Sequence, residues 1–350
     1  MTAAVPEAGS GAVRGAVMTR EIAEQPAVLA RILERGLPDI RAAAEAIRAA
    51  QPRFVVFAAR GTSDNASLYA KYLVEILLGL PAGLASMSTM TTYGARPRLH
   101  GTLFVTVSQS GGSPDLIEST RAAREAGALT LAVTNNPDSA LASAADLHLD
   151  VLAGPELALP ATKTYTAELL TLYLLVDAVR GGTGDFARGI PSAAAEVLAR
   201  GGEVRDHARE YRFADRLVLT SRGYGYPTVR EAALKVMETS YLHAQAFSGA
   251  DLLHGPLAMI DGDAPVIAVV PDGAGGRALA PVLDRLRAAG ARTALLGPPD
   301  GFFPLPVRLC EEVQPIVQIL PLQTLACEIA LDRNLDPDAP RALAKVTRTR

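Results

Sequence analysis

Short apolar runs alternate along the chain with longer segments in which apolar residues recur at helical spacing. Residues 53–61 (RFVVFAARG) form one such run, and residues 104–134 pass from a second run through a Ser/Gly turn and a helical segment into a third. Runs that are apolar at consecutive positions are typical of strands buried on both faces of a parallel sheet. The pattern therefore predicts an α/β fold with each parallel sheet sandwiched by helices.

The pattern occurs twice. Residues 53–61 have a counterpart in residues 216–223 (RLVLTSRG), and residues 104–134 have one in residues 267–297. Two coincident pairs in the same order indicate a duplicated α/β unit.

The repeat divides the chain into four parts. We expect an N-terminal helical segment over residues 1–44, interrupted at Pro26, and α/β units over residues 45–190 and 205–335. Residues 336–350 are expected to form a tail.

Composition narrows the class of protein. The chain has 350 residues, of which 49% are hydrophobic and 20% charged, and a formal net charge of −3, as in a globular protein of two domains. Lysine and arginine are scattered and slightly outnumbered by acids, so no nucleic-acid partner is expected. The apolar stretch at residues 73–85 is too short and interrupted to span a membrane. Cys310 and Cys327 lack metal-ligand spacing, which indicates a reducing cytoplasm without a disulfide framework or metal site.

Two hydroxyl-rich turns carry the candidate chemistry. Ser108, Gln109 and Ser110 follow an apolar strand, and Ser113 precedes Pro114, a favourable start for a helix. The turn at residues 59–67 (ARGTSDNAS) has the same character. Hydroxyls and backbone N–H groups at a helix N-terminus suit a phosphate monoester, although an ordinary strand-to-helix connection has a similar composition. No Walker lysine and no GxGxxG pattern is present, so no nucleotide is expected.

Five ordered motifs give a more specific indication. They are RGTSDNA, SQSGGSPD, AGPELALPATKTYTAEL, the segment at residues 231–261 and DAPRALAKV at residues 338–346. Together they resemble the isomerase half of glutamine:fructose-6-phosphate amidotransferases, a member group of the sugar isomerase (SIS) domain family. The resemblance implies two tandem SIS domains of the flavodoxin-like αβα type in a homodimer, with the site near the subunit interface. No glutaminase motif precedes them in this sequence, so glutamine is not the expected nitrogen donor, as in stand-alone SIS deaminases.

The resemblance also implies roles for individual residues. Glu238 matches the base that moves a proton between C1 and C2 of the opened sugar, and Lys235 lies one turn earlier on the same helix face. His254 matches the ring-opening histidine, with supply from the neighbouring subunit left open, and Lys345 matches the lysine that forms a Schiff base with the keto sugar. The alternative for Lys235 and Glu238 is that they have no functional role. They would then form, with Glu231, a solvated ladder of charged side chains along one helix face. The matched substrate-binding positions are Thr62, Ser63, Ser108, Gln109, Ser110, Ser113, Pro160 and Ala161.

Three departures from the family pattern bear on the substrate. Gly112 stands where a carboxylate is usual, Arg60 replaces a cysteine, and Ala161 replaces a hydroxyl expected near the sugar. The phosphate turns and Glu238 are less affected.

The expected function is conversion of glucosamine 6-phosphate to fructose 6-phosphate and ammonia, without metal, nucleotide or other cofactor. If the nitrogen of the phosphorylated hexosamine is acetylated, the same proton abstraction favours loss of the C3 hydroxyl, so a dehydratase is one alternative. A non-catalytic sugar-phosphate sensor is another, since SIS domains also serve as ligand-binding modules.

Overall fold

The strands form two parallel sheets of five. The computed structural model describes residues 13–305 and 308–345; the remaining residues of the predicted N-terminal segment and tail lie outside that range. The first sheet has the order β2-β1-β3-β4-β5 and the second β10-β9-β8-β6-β7. Their strands are β1 (Phe54–Ala58), β2 (Ala82–Leu84), β3 (Thr102–Ser108), β4 (Leu129–Thr134), β5 (Leu147–Asp150), β6 (Arg216–Ser221), β7 (His243–Ser248), β8 (Pro265–Val269), β9 (Arg292–Gly297) and β10 (Phe303–Pro304).

The two sheets have the same topology. Counted from the first strand of each half, both read 2-1-3-4-5, the flavodoxin-like order. The central strands β3 and β8 are buried at every position, as their continuous apolar sequences predicted. The predicted fold class, two tandem αβα units, is confirmed.

Helices cover the sheets and join the two halves. They are α1 (Ala16–Ala23), α2 (Gln25–Arg31), α3 (Leu37–Ala50), α4 (Thr62–Leu73), α5 (Met87–Thr91), α6 (Pro114–Glu125), α7 (Ala140–Ala144), α8 (Lys163–Val179), α9 (Ile190–Ala199), α10 (Gly201–Ala208), α11 (Gly225–Ser240), α12 (Gly249–Leu253), α13 (Ala274–Ala288) and α14 (Gln314–Asp332). The break between α1 and α2 falls just before Pro26, which fits the first turn of a helix because it lacks an N–H group.

One hydrophobic core spans both halves of the chain. It runs from Val28 on α2 to Ile329 on α14 and includes residues of both sheets. Helix α4 of the first half packs against α11 of the second. Near this contact the rings of Tyr69 and Tyr224 meet edge to face, with 6.3 Å between their centroids. The helices that begin above the two sheets are therefore packed together, which brings groups from both halves close to one another.

The turn after β8 differs from its counterpart after β3. Its glycines bring the backbone close to the side chain of Glu311, whose carboxylate accepts hydrogen bonds of 2.7 Å from the N–H groups of Ala274 and Gly275. A Cβ atom on Gly273 would lie 2.1 Å from Glu311 Oε2. The N-terminus of α13 thus already holds an anion supplied by the chain itself.

We expect Glu311→Ala to lower the free energy of unfolding by about 1–2 kcal/mol, because two N–H groups at the start of α13 lose a charged acceptor. Urea unfolding of this variant beside the neighbouring Glu312→Ala checks the prediction. Glu312 is the control because its side chain makes no hydrogen bond within the described residues, whereas the Glu311 side chain accepts two. Equal losses in the two variants would contradict it.

Candidate active site

A cavity of about 330 Å³ lies at the carboxyl ends of β1 and β3. Parallel strands end at the same edge of a sheet, so the turns that follow these two neighbouring strands meet there. Eight of the side chains that the sequence singled out line this cavity: Thr62, Ser63, Ser108, Gln109, Ser110, Ser113, Ala161 and Lys345.

The turn after β3 presents its hydroxyls to the cavity. Ser113 occupies the N-cap position of α6, but its side chain makes no capping hydrogen bond in the described structure. Gly111 has a φ of +61°, and a Cβ atom there would lie 2.3 Å from Ser139 Oγ. Glycine is therefore needed at this position, and the tight turn sets serine hydroxyls over the start of a helix, an arrangement suited to an anion.

Arg60 adds a positive charge to the cavity wall. Its guanidinium binds the Asp115 carboxylate, with Nη2 2.8 Å and Nε 2.9 Å from Oδ2. Asp115 is buried in the first turn of α6, whereas half of the Arg60 side chain is exposed. From the sequence, Arg60 was only a departure from the family pattern. Its ion pair with Asp115 could be seen only in the folded structure.

Lys235 links the cavity to the second half of the chain. Its ammonium lies 3.0 Å from Thr62 Oγ1 on the cavity wall and 2.5 Å from Glu238 Oε2. Glu231 Oε1 is 3.4 Å from the same nitrogen. Thr62 and Asn65 of α4 also donate hydrogen bonds to Glu231, of 3.0 and 2.8 Å. Helices α4 and α11 are thus joined by polar groups beside the cavity.

These groups are buried, so the alternative of a solvated charge ladder is wrong. Lys235 is 1% exposed and Glu231 is fully buried, while 22% of the Glu238 side chain remains exposed. Burial raises the pKa of Glu231 to about 7 against the opposing effects of Lys235, Asn65 and Thr62. Burial acts to lower the pKa of Lys235, but the carboxylates of Glu231 and Glu238 raise it overall, so Lys235 stays charged.

Glu231 makes stability depend on pH in a defined direction. Its pKa is about 7 in the folded protein against an ordinary value of 4.5, so the folded state keeps a proton that the unfolded state releases as the pH rises between these values. The free energy of unfolding should therefore fall over this interval, by up to about 3 kcal/mol from this group. Urea unfolding of the wild type and Glu231→Gln from about pH 4.5 to about pH 7 checks it. Parallel pH profiles would contradict the prediction, because the variant lacks the ionisable group.

Glu168 is a cavity residue that sequence reasoning missed. It lies on α8, is 1% exposed and accepts a hydrogen bond of 2.8 Å from Ser63 Oγ. Its pKa is raised well above the ordinary value, mainly by burial. Glu168 lies within the motif AGPELALPATKTYTAEL, but the sequence does not indicate which residue a glutamate in an otherwise apolar helix will contact.

The loop before α8 holds Lys345 at the cavity. Lys345 Nζ donates to the carbonyl of Ala158 and lies 3.6 Å from Glu156 Oε2. Glu156 also accepts hydrogen bonds from the backbone N–H groups of Thr162 and Thr164, at 2.9 and 3.1 Å. The tail thus returns to a wall of the cavity in the first half of the chain.

Four predicted site residues do not line the cavity within this chain: Lys235, Glu238, Pro160 and His254. Lys235 reaches the cavity wall through Thr62, and Glu238 is joined to it through Lys235. Pro160 is buried but does not line the cavity, whereas the next residue, Ala161, does. His254 is exposed at the end of α12. Helix α12 follows β7, the edge strand of the second sheet, and His254 is not among the residues that line the cavity over the first sheet.

Neither a metal site nor a membrane span was found in the part of the chain that the structure describes. No group of three His, Cys, Asp or Glu residues there is placed to hold a metal ion. Within the same residues, every helix is too short or too polar to cross a bilayer.

Comparisons with known proteins show what the chain is similar to. The SIS domain model matches residues 50–178 and 210–296, more than half of the chain. The isomerizing glutamine–fructose-6-phosphate aminotransferase of Methanothermobacter thermautotrophicus is 35% identical in an alignment 301 residues long that covers 83% of this chain and 51% of that protein. A second enzyme of that name, from Gloeobacter violaceus, is 35% identical over 94% of this chain and 58% of its own length. The chain thus spans about half the length of these curated relatives.

Solved structures extend the likeness. The C-terminal domain of glucosamine-fructose-6-phosphate aminotransferase from Francisella tularensis superposes with a TM-score of 0.81 at 26% identity, over 95% of this chain and all of that one. The glucosamine-6-phosphate deaminase of Thermotoga maritima gives a TM-score of 0.76 at 21% identity, over 95% and 100% of the two chains. At the latter identity the likeness shows the fold alone.

Proposed function

Because the chain belongs to the SIS domain family, as its sequence motifs indicated, we propose that it converts an amino-sugar 6-phosphate to a keto-sugar phosphate and ammonia, with glucosamine 6-phosphate as the substrate. The observation that carries the proposal is the position of Lys235, whose ammonium contacts both Thr62 on the cavity wall and Glu238. This contact joins a cradle suited to a phosphate to a carboxylate suited to proton transfer. The names of the relatives support a phosphorylated hexosamine.

The cavity has separate groups for the two ends of such a substrate. Ser108, Ser110 and Ser113 surround the start of α6 and can donate hydrogen bonds to a phosphate, and the Arg60 guanidinium favours its negative charge. With the phosphate held there, the carbon chain of the opened sugar extends toward Lys345 and the Lys235–Glu238 pair. Proximity of this kind supplies much of the rate increase of an enzyme.

The chemistry then follows from the groups at the far end. Glu238 removes the C2 proton of the opened sugar and returns it to C1, while O1 gains a proton and the nitrogen loses one. The aldehyde at C1 thus becomes a hydroxymethyl group and the amine at C2 an imine. Lys345 exchanges with that imine, releasing ammonia and holding the sugar as a Schiff base, and water hydrolyses the Schiff base to the ketone. One water is consumed and one ammonia released. The charged Lys235 stabilises negative charge that develops on the substrate oxygen during the transfer.

The direct test is incubation of the protein, separately, with glucosamine 6-phosphate and N-acetylglucosamine 6-phosphate. Ammonia and fructose 6-phosphate in equal amounts from the first substrate, without added glutamine, are expected. An ultraviolet-absorbing unsaturated sugar from the second substrate alone would favour a dehydratase. Binding of either sugar without turnover would favour a sensor, and both of these outcomes would overturn the proposal.

His254 completes the site in the proposed homodimer if the partner subunit supplies it. Mixing Glu238→Gln and His254→Ala subunits after gentle dissociation should then restore about a quarter of wild-type activity, because half of the randomly formed dimers have one site with both groups intact. Each variant alone should remain inactive. Steady-state turnover of the mixture against each separate variant measures this. A mixture no more active than its components would place His254 and Glu238 in the same subunit's site or leave His254 without a role.

A further inference from the structure

Glu168 has a hydrogen-bonding arrangement that the proposed chemistry does not use. One carboxyl oxygen, Oε1, lies 2.8 Å from Ser63 Oγ, and Ser63 itself lines the cavity. The other oxygen, Oε2, is buried and has no hydrogen-bond partner among the described residues. An ionised carboxylate in this position would leave a charge in the protein interior with one oxygen unsatisfied, which is costly.

The surroundings of Glu168 favour its neutral form. Burial raises its pKa most, and the carboxylates of Glu156 and Glu231 raise it further, whereas the hydrogen bond from Ser63 opposes them. Among the described residues, the two cations on the cavity wall are engaged elsewhere: Arg60 binds Asp115, and Lys345 contacts Ala158 and Glu156. The charged or titratable groups around it are Glu156 in the loop before α8, Glu231 on α11, Tyr165 on α8, Lys345 in the tail and Arg60 after β1.

Ser63 has only one hydroxyl proton, so Glu168 and an anionic ligand in the cavity compete for it. If Glu168 is ionised, it accepts the Ser63 proton and Ser63 turns a lone pair toward the cavity, which repels an anion. If Glu168 is protonated, it can donate to Ser63 Oγ, and the Ser63 proton is then free to point into the cavity. The protonation state of a buried acid thus sets whether a cavity hydroxyl acts as donor or acceptor.

We propose that Glu168 is a positioning residue that acts through Ser63: its protonated form turns the Ser63 hydroxyl into a donor for the ligand's anionic group, and its ionised form withdraws that donor. The inference rests on the proposed function in one respect, namely that the cavity binds the phosphate of a sugar phosphate. It adds that binding is linked to uptake or retention of a proton by Glu168, so affinity falls as the pH rises through the pKa of Glu168.

The test uses two probes and one isosteric substitution. The probes are inorganic sulfate, which keeps two negative charges across the range and so does not titrate itself, and glucitol 6-phosphate, which cannot be turned over as an aldose. Calorimetric titration from about pH 5 to about pH 9 gives the affinity of each. For the wild type we expect the sulfate affinity to fall roughly ten-fold or more as Glu168 loses its proton, the effect of losing one hydrogen bond to a charged group.

In Glu168→Gln the amide can donate to Ser63 Oγ at every pH. We therefore expect a sulfate affinity close to the low-pH wild-type value throughout the range. Ser63→Ala should bind more weakly at low pH and also lack the wild-type pH slope, because Glu168 then has nothing to act through; this variant tests the inference even if Glu168→Gln does not fold. The double variant should match Ser63→Ala. Glu45→Gln, at an exposed position on α3, should keep the wild-type slope.

The outcomes separate the inference from the proposed function. Binding of both probes with the same pH slope in the wild type and Glu168→Gln would overturn the inference and leave the proposed function standing. A wild type that binds neither probe at any pH would overturn the proposed function, and the inference with it. A pH slope that persists in Ser63→Ala would show that Glu168 does not act through Ser63, which also overturns the inference.

Discussion

Replacing Glu238 by glutamine is expected to lower kcat for glucosamine 6-phosphate by about a thousand-fold, the usual contribution of a general base. Glutamine has nearly the same shape and can keep a hydrogen bond to Lys235, which lies 2.5 Å from Glu238 Oε2. It cannot accept the C2 proton. In the proposed function the turns after β1 and β3, at the starts of α4 and α6 rather than on α11, bind the substrate phosphate, so binding should change little.

Turnover and binding must therefore be measured separately. Steady-state turnover at saturating substrate reports kcat, and calorimetry with glucitol 6-phosphate reports affinity for an unreactive ligand. Glu45→Gln makes the same chemical change at an exposed position on α3 and should leave both quantities unchanged. If Glu238→Gln retained kcat within a few-fold of the wild type, Glu238 would not be the base; if binding were lost together with kcat, its role would be structural.

Replacing Lys235 by methionine should cost about 3–5 kcal/mol of unfolding free energy at neutral pH, the loss typical when one partner of a buried ion pair is removed. Lys235 is 1% exposed and contacts Glu231, which is fully buried, as well as Glu238 and Thr62. Methionine fills a similar volume but leaves the two carboxylates facing each other without a cation. The protein can then avoid the penalty only by protonating them.

Urea unfolding of Lys235→Met beside Lys71→Met tests whether burial is the cause. Lys71 on α4 pairs with Glu75 in the turn that follows, and both side chains are about a third exposed. Loss of this ion pair in Lys71→Met should therefore lower the free energy of unfolding by less than about 1 kcal/mol. The loss of unfolding free energy in Lys235→Met should also shrink toward acid pH, where Glu231 is neutral in both the folded and the unfolded state. Adding Glu231→Gln should recover part of it. Equal penalties for the two lysine variants would contradict the prediction.

Several features of the site were accessible from sequence because they depend on local order. The turns around Thr62 and Ser108 follow strands of one predicted sheet, and parallel strands bring their carboxyl ends to the same edge. Their convergence on one cavity therefore follows from the fold class. Lys235 and Glu238 lie one turn apart on a helix, so their proximity was also a local inference.

Other features depend on packing between distant segments. The burial of Lys235 results from the contact of α11 with α4, which are separated by more than 150 residues, as in the hydrogen bond between Lys235 and Thr62. The pairing of Glu168 with Ser63 joins positions 105 residues apart, and the sequence contains no signal for it. The same holds for Glu311, whose carboxylate fills the N-terminus of α13 although the two are 36 and 37 residues apart.

By itself, the sequence determined the secondary structure, the duplication and the residues available for chemistry, because apolar periodicity, turn residues and helix starts act over a few positions. The tertiary structure decided which of those residues are buried, which carboxylates hold protons near neutral pH and which side chains of the two halves share one cavity. The physical reason is that a pKa or a desolvated ion pair depends on the groups that surround it in space, and packing between remote segments selects those groups.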